Sequence, residues 1–175
     1  MFPLGHIGIT IGIVLLITYY KTDWRIKFDI RWLALGAMLP DIIDKTIGLL
    51  ILREYIDNGR IYSHTLLFAV ILVTIAAFIR SNPTIALGFG SCTHIAFDRM
   101  WELPSSFLWP SMGWSFPRID FTPSHLTDIL FHDPYTIVSE ILGALILLFL
   151  FFYFKLYRLE NWRRLWRTGS FSKAS

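Results

Sequence analysis

Ionisable side chains stand inside stretches of this chain that are otherwise too apolar to stay in water, and that conflict limits what it can fold into. Five segments approach the roughly 20 mostly apolar residues that a helix needs to cross a bilayer. They are Leu4 to Tyr20, Trp32 to Leu52, Ile61 to Ile79, Thr84 to Phe97 and Thr136 to Tyr157. Composition agrees: the chain is 54% hydrophobic, 17% aromatic and only 17% charged, outside the range of an ordinary water-soluble domain. In 175 residues such a bundle leaves no room for a second domain. The expected fold is therefore all-α, an integral membrane bundle of about five transmembrane helices. It forms a single domain over residues 1–157, followed by a basic, Trp-containing cytoplasmic tail over residues 158–175. The opening "MFPLGHIGIT" lacks the positive start of a secretory signal, so it reads as a retained first span. The single Cys92 has no partner for an internal disulfide.

The positions of Lys and Arg orient this bundle, because cytoplasmic connections collect the excess. Lys21, Arg25, Lys27 and Arg31 precede the second segment, Arg80 follows the third, and Lys155, Arg158, Arg163, Arg164, Arg167 and Lys173 follow the fifth. These share one side, whereas Arg53, Arg60, Arg99 and Arg118 fall on the other. The expected topology is multi-pass in the cell membrane, with the N-terminus outside and the C-terminus cytoplasmic.

That topology gathers the polar residues at one face. His6 begins the first segment at its outer end, and Asp41 and Asp44 lie on the outer half of the second. His64 starts the third, and His94 and Asp98 close the fourth. Asp41 and Asp44 are i, i+3 and His94 and Asp98 are i, i+4, so each pair shares a helix face. Three imidazoles and three carboxylates without thiolate form a donor set for a divalent metal, Zn²⁺ first, with Mn²⁺ and Fe²⁺ behind it. Cys92, two residues from His94, turns to another face and is excluded as a ligand. Each residue alone has a plainer reading: an interfacial histidine for His6, a helix cap for Asp41, a salt bridge to Lys45 for either carboxylate, and a satisfied His94–Asp98 pair.

The succession "PLGHIG", "GAMLPDIID", "RIYSHTLL", "CTHIAFD" and "LWPSMGWSFP" resembles the YdjM-like family of membrane-bound metal-dependent hydrolases. By position, the resemblance implies His6, Asp41, Asp44, His64, His94 and Asp98 as the polar site, with Arg60 as the basic residue before the histidine element. The chain departs from the family pattern in carrying Gly59, Arg60 and Ile61 where relatives place a further histidine before Ser63-His64-Thr65. A more distant similarity is to the zinc-dependent phospholipase C and nuclease class, whose His-x-x-x-Glu element is absent here.

A metal held by His and carboxylate, with an open position, activates water for hydrolysis. In this reading a carboxylate left unligated, Asp44, acts as general base, and Arg60 neutralises an anionic substrate. The stretch from Arg99 to Pro134 interleaves Trp101, Phe107, Trp109, Trp114 and Phe116 with prolines, which suits a cover at headgroup depth and a lipid or lipid-linked phosphoester substrate. The tail "KLYRLENWRRLWRTGSFSK" points to membrane lipids as partners rather than nucleic acid. Two other classes fit the same residues: an ion or proton relay through intramembrane Asp and His, and a non-catalytic lipid-binding scaffold.

Overall fold

The computed structural model describes residues 1–20, 28–119 and 122–171. The described residues form helices and turns with no strand. The elements are α1 (Pro3–Tyr20), α2 (Ile30–Lys45) continued by a π-helical turn (Thr46–Ile51), and a 3₁₀ turn (Tyr62–His64) leading into α3 (Leu66–Ile79). After them come α4 (Asn82–Phe97), a second 3₁₀ turn (Met100–Glu102), α5 (Pro104–Phe107), α6 (Pro123–His132), α7 (Pro134–Tyr153) and α8 (Leu159–Thr168).

Local signals explain most boundaries. The carboxylate of Asp29 accepts from Arg31 N at the start of α2, and Asp133 accepts from Thr136 N at the start of α7. The hydroxyl of Thr65 caps α3 by accepting from Phe68 N. Arg80 closes α3 in the left-handed conformation, after which Ser81 and Pro83 start α4, making a tight helical hairpin of the "RSNP" turn. Inside α2, Pro40 has no N–H to give the carbonyl of Gly36, and the Ser91 hydroxyl of α4 donates to that oxygen instead, at 3.1 Å.

Two crossings hold the bundle. α2 packs on α4 and α1 on α7 more extensively than other pairs. Small residues make both possible. A methyl group on Gly90 would run into the Leu33 carbonyl of α2, and one on Gly8 into the Gly143 backbone of α7. The interior is apolar at the end of α1 away from its N-terminus, where Ile11, Val14, Leu33, Ala86 and Leu150 form one cluster. The polar groups lie at the opposite end.

Among the described residues two helices are long and apolar enough to cross a membrane, α1 with 18 residues and α7 with 20. This corrects the expectation of five spans. α3 is apolar but has 14 residues, about 21 Å at the usual rise, against a hydrocarbon core of about 30 Å. Its expected first turn, from Ile61, is instead drawn into the loop around Asp44. The stretch Trp32–Leu52 divides into α2 and the π turn, where Gly48 meets the backbone of Asn58. α4 has 16 residues and small, polar buried positions. Outward-facing side chains on α3 and α7, among them Val70, Phe78, Val138, Leu145 and Phe152, remain more than half exposed. Such continuous apolar surface needs a partner other than water.

α8 folds back onto the bundle rather than extending from it. The Gly169 carbonyl accepts from Ile30 N at 2.7 Å, and the Arg31 guanidinium bonds both the Asp29 carboxylate and the Trp166 carbonyl. Arg31 holds the Asp29 carboxyl below its ordinary value of 3.8, so the charged form is favoured in the folded state. A depressed carboxyl pKa contributes stability above the ordinary value and loses it as pH falls through the folded-state value. Asp29→Asn keeps a capping oxygen but removes the charge. The variant is expected to melt below wild type at neutral pH, with the gap closing as pH falls below about 4; thermal melts across that range check it.

Candidate metal centre

Asp44 organises the centre. It ends α2 fully buried, and its carboxylate accepts from the backbone N–H groups of Ile61 (2.7 Å), Ser63 (3.0 Å) and His64 (3.2 Å). Its Oδ2 also receives His64 Nδ1 at 2.8 Å. A loop that would otherwise leave these donors bare is thereby wound round one carboxylate. Ser63 adds a hydroxyl bond to the Pro40 carbonyl at 3.0 Å. From α4, His94 directs Nδ1 to the Ala37 carbonyl at 2.6 Å.

These contacts fix both tautomers. A carbonyl only accepts, so His94 Nδ1 carries the proton; Asp44 is already an acceptor for backbone N–H groups, so His64 Nδ1 carries one too. Each Nε2 is thereby turned into the centre. The two face each other at 3.2 Å, both rings fully buried. Asp41 Oδ1 lies 3.7 Å from His64 Nε2 and 3.8 Å from His94 Nε2, and Asp98 Oδ2 lies 3.7 Å from His64 Nε2. Two imidazole nitrogens and two carboxylate oxygens thus converge. A tetrahedral ion with ligand bonds of about 2.0–2.2 Å has ligand–ligand edges of roughly 3.3–3.6 Å, close to these separations. The buried group of Asp41, His64, His94 and Asp98 can hold a metal ion.

The same carboxylates also meet cations. Lys45 Nζ donates to Asp41 Oδ2 at 2.7 Å, and Arg60 Nε to Asp98 Oδ2 at 3.1 Å. The Met1 amine is 2.8 Å from Asp98 Oδ1. His6 stacks on His94, with ring centroids 3.8 Å apart and planes 16° from parallel. His6 Nε2 is 3.1 Å from Asp98 Oδ1, yet neither ring nitrogen makes a well-directed hydrogen bond. Such unsatisfied buried nitrogens fit a ring held for a ligand role better than one held for packing.

All six residues expected at the site are brought to one end of the bundle, in different roles. Asp41, His64, His94 and Asp98 form the cluster, and His6 stands against it. Asp44, expected as a ligand and general base, lies behind His64, with its oxygens already engaged by donors. Arg60 reaches the site through Asp98. Cys92 packs with the apolar group of Ala69, Ile95 and Met100, away from the centre. Trp109 and Phe116 close over Tyr62, beside His64, at ring separations of 5.3 and 5.0 Å, whereas Trp101 and Trp114 face outward. Sequence reasoning missed Glu140 of α7, which accepts from the N–H groups of Phe2, Leu4 and Gly5 and so anchors the turn carrying His6. A lone carboxylate in a long apolar segment was its signal.

The model of the YdjM inner membrane protein family matches residues 1–163. The chain belongs to this family. The match takes in the whole cluster, Asp44 and the first half of α8. No curated protein and no solved structure matches the chain.

In YdjM-family terms the orienting role of Asp44 is open to measurement. Partners that fix a ligating histidine typically change metal affinity by 10–100-fold when lost. Asp44→Asn leaves the four cluster residues unsubstituted and is expected to weaken divalent-metal binding by about that factor. Competition with a calibrated chelator would show it.

Proposed function

We propose that the protein is an integral-membrane, metal-dependent hydrolase of phosphoesters acting on a lipid or lipid-linked substrate. The observation that carries this reading is the pair of Nε2 atoms of His64 and His94, facing at 3.2 Å between two carboxylates. Zinc suits a nitrogen and oxygen donor set without thiolate, held by Asp41, His64, His94 and Asp98 with His6 in reach. Bound there, it supplies Lewis acidity and lowers the pKa of water toward neutrality.

The chain's own residues supply orientation and charge. Asp44 and the Ala37 carbonyl keep the two imidazoles in the tautomer that presents Nε2. Lys45 and Arg60, 42% and 30% exposed, line a cleft of about 450 Å³ over the cluster and are the cations an incoming phosphoryl group meets. That cleft shares Asp41, Lys45 and Leu49 with a lateral furrow of about 400 Å³ bordered by Pro3, Met38, Ile42 and Leu50. Leu50 is 77% exposed. A cationic cleft opening sideways onto apolar surface suits an amphiphile, with its phosphate at Lys45 and Arg60 and its chain along the furrow.

In this reading the chain is multi-pass, with the site outward and the C-terminus cytoplasmic. The cluster lies beside the N-terminal end of α7 and the arginines of α8 follow its other end, about 30 Å away along a 20-residue helix. Positive charge at that end marks the cytoplasmic side. Of the cations used for orientation, Lys21, Arg25, Lys27 and Lys173 lie outside the described residues. A proton relay is the weaker account, because the interior beyond the Thr10–Thr93 hydrogen bond is filled by Ile11, Val14, Leu33, Ala86 and Leu150.

Detergent-purified wild type is expected to carry stoichiometric zinc, lost in a His94→Ala, Asp98→Ala double variant. Hydrolysis of a long-chain lipid phosphoester should fall to background in that variant and return to wild type when zinc is added back after chelation. A well-folded wild type without transition metal, or turnover indifferent to the double substitution, overturns the proposal.

A further inference from the structure

The sequence LENWRRLWRT of α8 divides round the helix into two flanks. At 100° per residue, Leu159, Trp162, Leu165 and Trp166 fall on one side and Arg163, Arg164 and Arg167 on another. The structure fixes this helix firmly. Asn161 Nδ2 donates to the carbonyls of Phe154 and Lys155 at 3.2 and 3.1 Å, closing the turn that follows α7. Phe171 stacks on Phe154 with centroids 4.5 Å apart, and Gly169 packs on Asp29. Its orientation against α2 is therefore set by the fold.

What the docking leaves open is informative. Trp162 and Trp166, 44% and 58% exposed, stand across from Trp32 and Leu35, 41% and 40% exposed. Together they border a groove of about 540 Å³ between α2 and α8. On the other flank Arg163, Arg164 and Arg167 line a concavity of about 370 Å³, with Glu160 as its carboxylate. Apolar side chains left round an open groove favour an apolar occupant over water. Three indoles at the end of a membrane-length helix lie where tryptophan is enriched, at headgroup depth.

We propose that the groove between α2 and α8 binds an anionic phospholipid, its acyl chain against Trp32, Leu35, Trp162 and Trp166 and its phosphate on the arginine flank. Charge decides the occupant. A neutral lipid has no use for three arginines beside one glutamate, and a soluble anion has no use for the tryptophans. Duplex nucleic acid would engage the arginines while leaving the groove empty. The site stands apart from the metal cluster, past the opposite end of α7, and does not rest on the hydrolase reading.

The test uses the full-length protein in lipid nanodiscs of phosphatidylcholine containing dibrominated phosphatidylglycerol or, in parallel, dibrominated phosphatidylcholine. Bromine on an acyl chain quenches the fluorescence of a tryptophan it touches. Wild type is expected to be quenched at several-fold lower mole fraction by the brominated phosphatidylglycerol. Trp162→Phe with Trp166→Phe should remove most of that preferential quenching, which locates it. Arg163→Gln and Arg167→Gln should each reduce the preference by about fivefold, with unchanged circular dichroism and unchanged zinc content. Equal quenching by the two brominated lipids, or a preference that survives the double arginine substitution, overturns the proposal. So does a wild type that binds duplex DNA through these arginines and shows no phosphatidylglycerol preference.

Discussion

The centre depends on one buried carboxylate. Asp44 takes three backbone N–H groups and an imidazole proton where no water is available to share them. Removing an acceptor from such a place leaves every donor unsatisfied at once. The segment from Ile61 to His64 has no regular partner of its own, and its path follows from these bonds. Through them the end of α2 decides where His64 stands, how it is rotated and which nitrogen it offers. α4 uses the same strategy with less charge, placing Ser91 and His94 on the carbonyls of Gly36 and Ala37 beside the break made by Pro40.

Electrostatics of the cluster follow from that frame. Asp41 faces the histidines with Oδ1 and Lys45 with Oδ2, whereas Asp98 gives Oδ2 to both His64 and Arg60 and Oδ1 to His6 and the Met1 amine. Each carboxylate therefore has a cation contact from outside the cluster. A buried centre built from acceptors alone is costly without a positive charge at its middle. The absence of thiolate and the wide cleft above distinguish it from a closed structural site.

Much of this arrangement is legible in the sequence. His6, Asp41, His64 and the His94–Asp98 pair belong to four separate segments, and an orientation drawn from Lys and Arg alone places them at one level. α1 and α7 match the first and last apolar stretches. The interior segments are misread for a physical reason: the apolar run from Leu66 carries the expected third segment back to Ile61, and hydropathy does not see that Asp44 claims the backbone hydrogens of Ile61, Ser63 and His64. Nor can spacing tell a ligand from the group behind it. Asp41 and Asp44 share a face and a turn, and they differ because a loop 20 residues later closes on one of them. Glu140 escapes notice because its partners are backbone N–H groups at the far end of the chain, which no side-chain motif records.

The link from Glu140 to Phe2 joins residues 138 positions apart. A ribosome delivers α1 early and Glu140 late, so the first turn of α1 waits through most of synthesis without its acceptor. α2, α3 and α4 are complete by then, and the Asp44 loop can already be wound around His64. The first turn of α1, which carries His6, thus gains its acceptor only once α7 has been made.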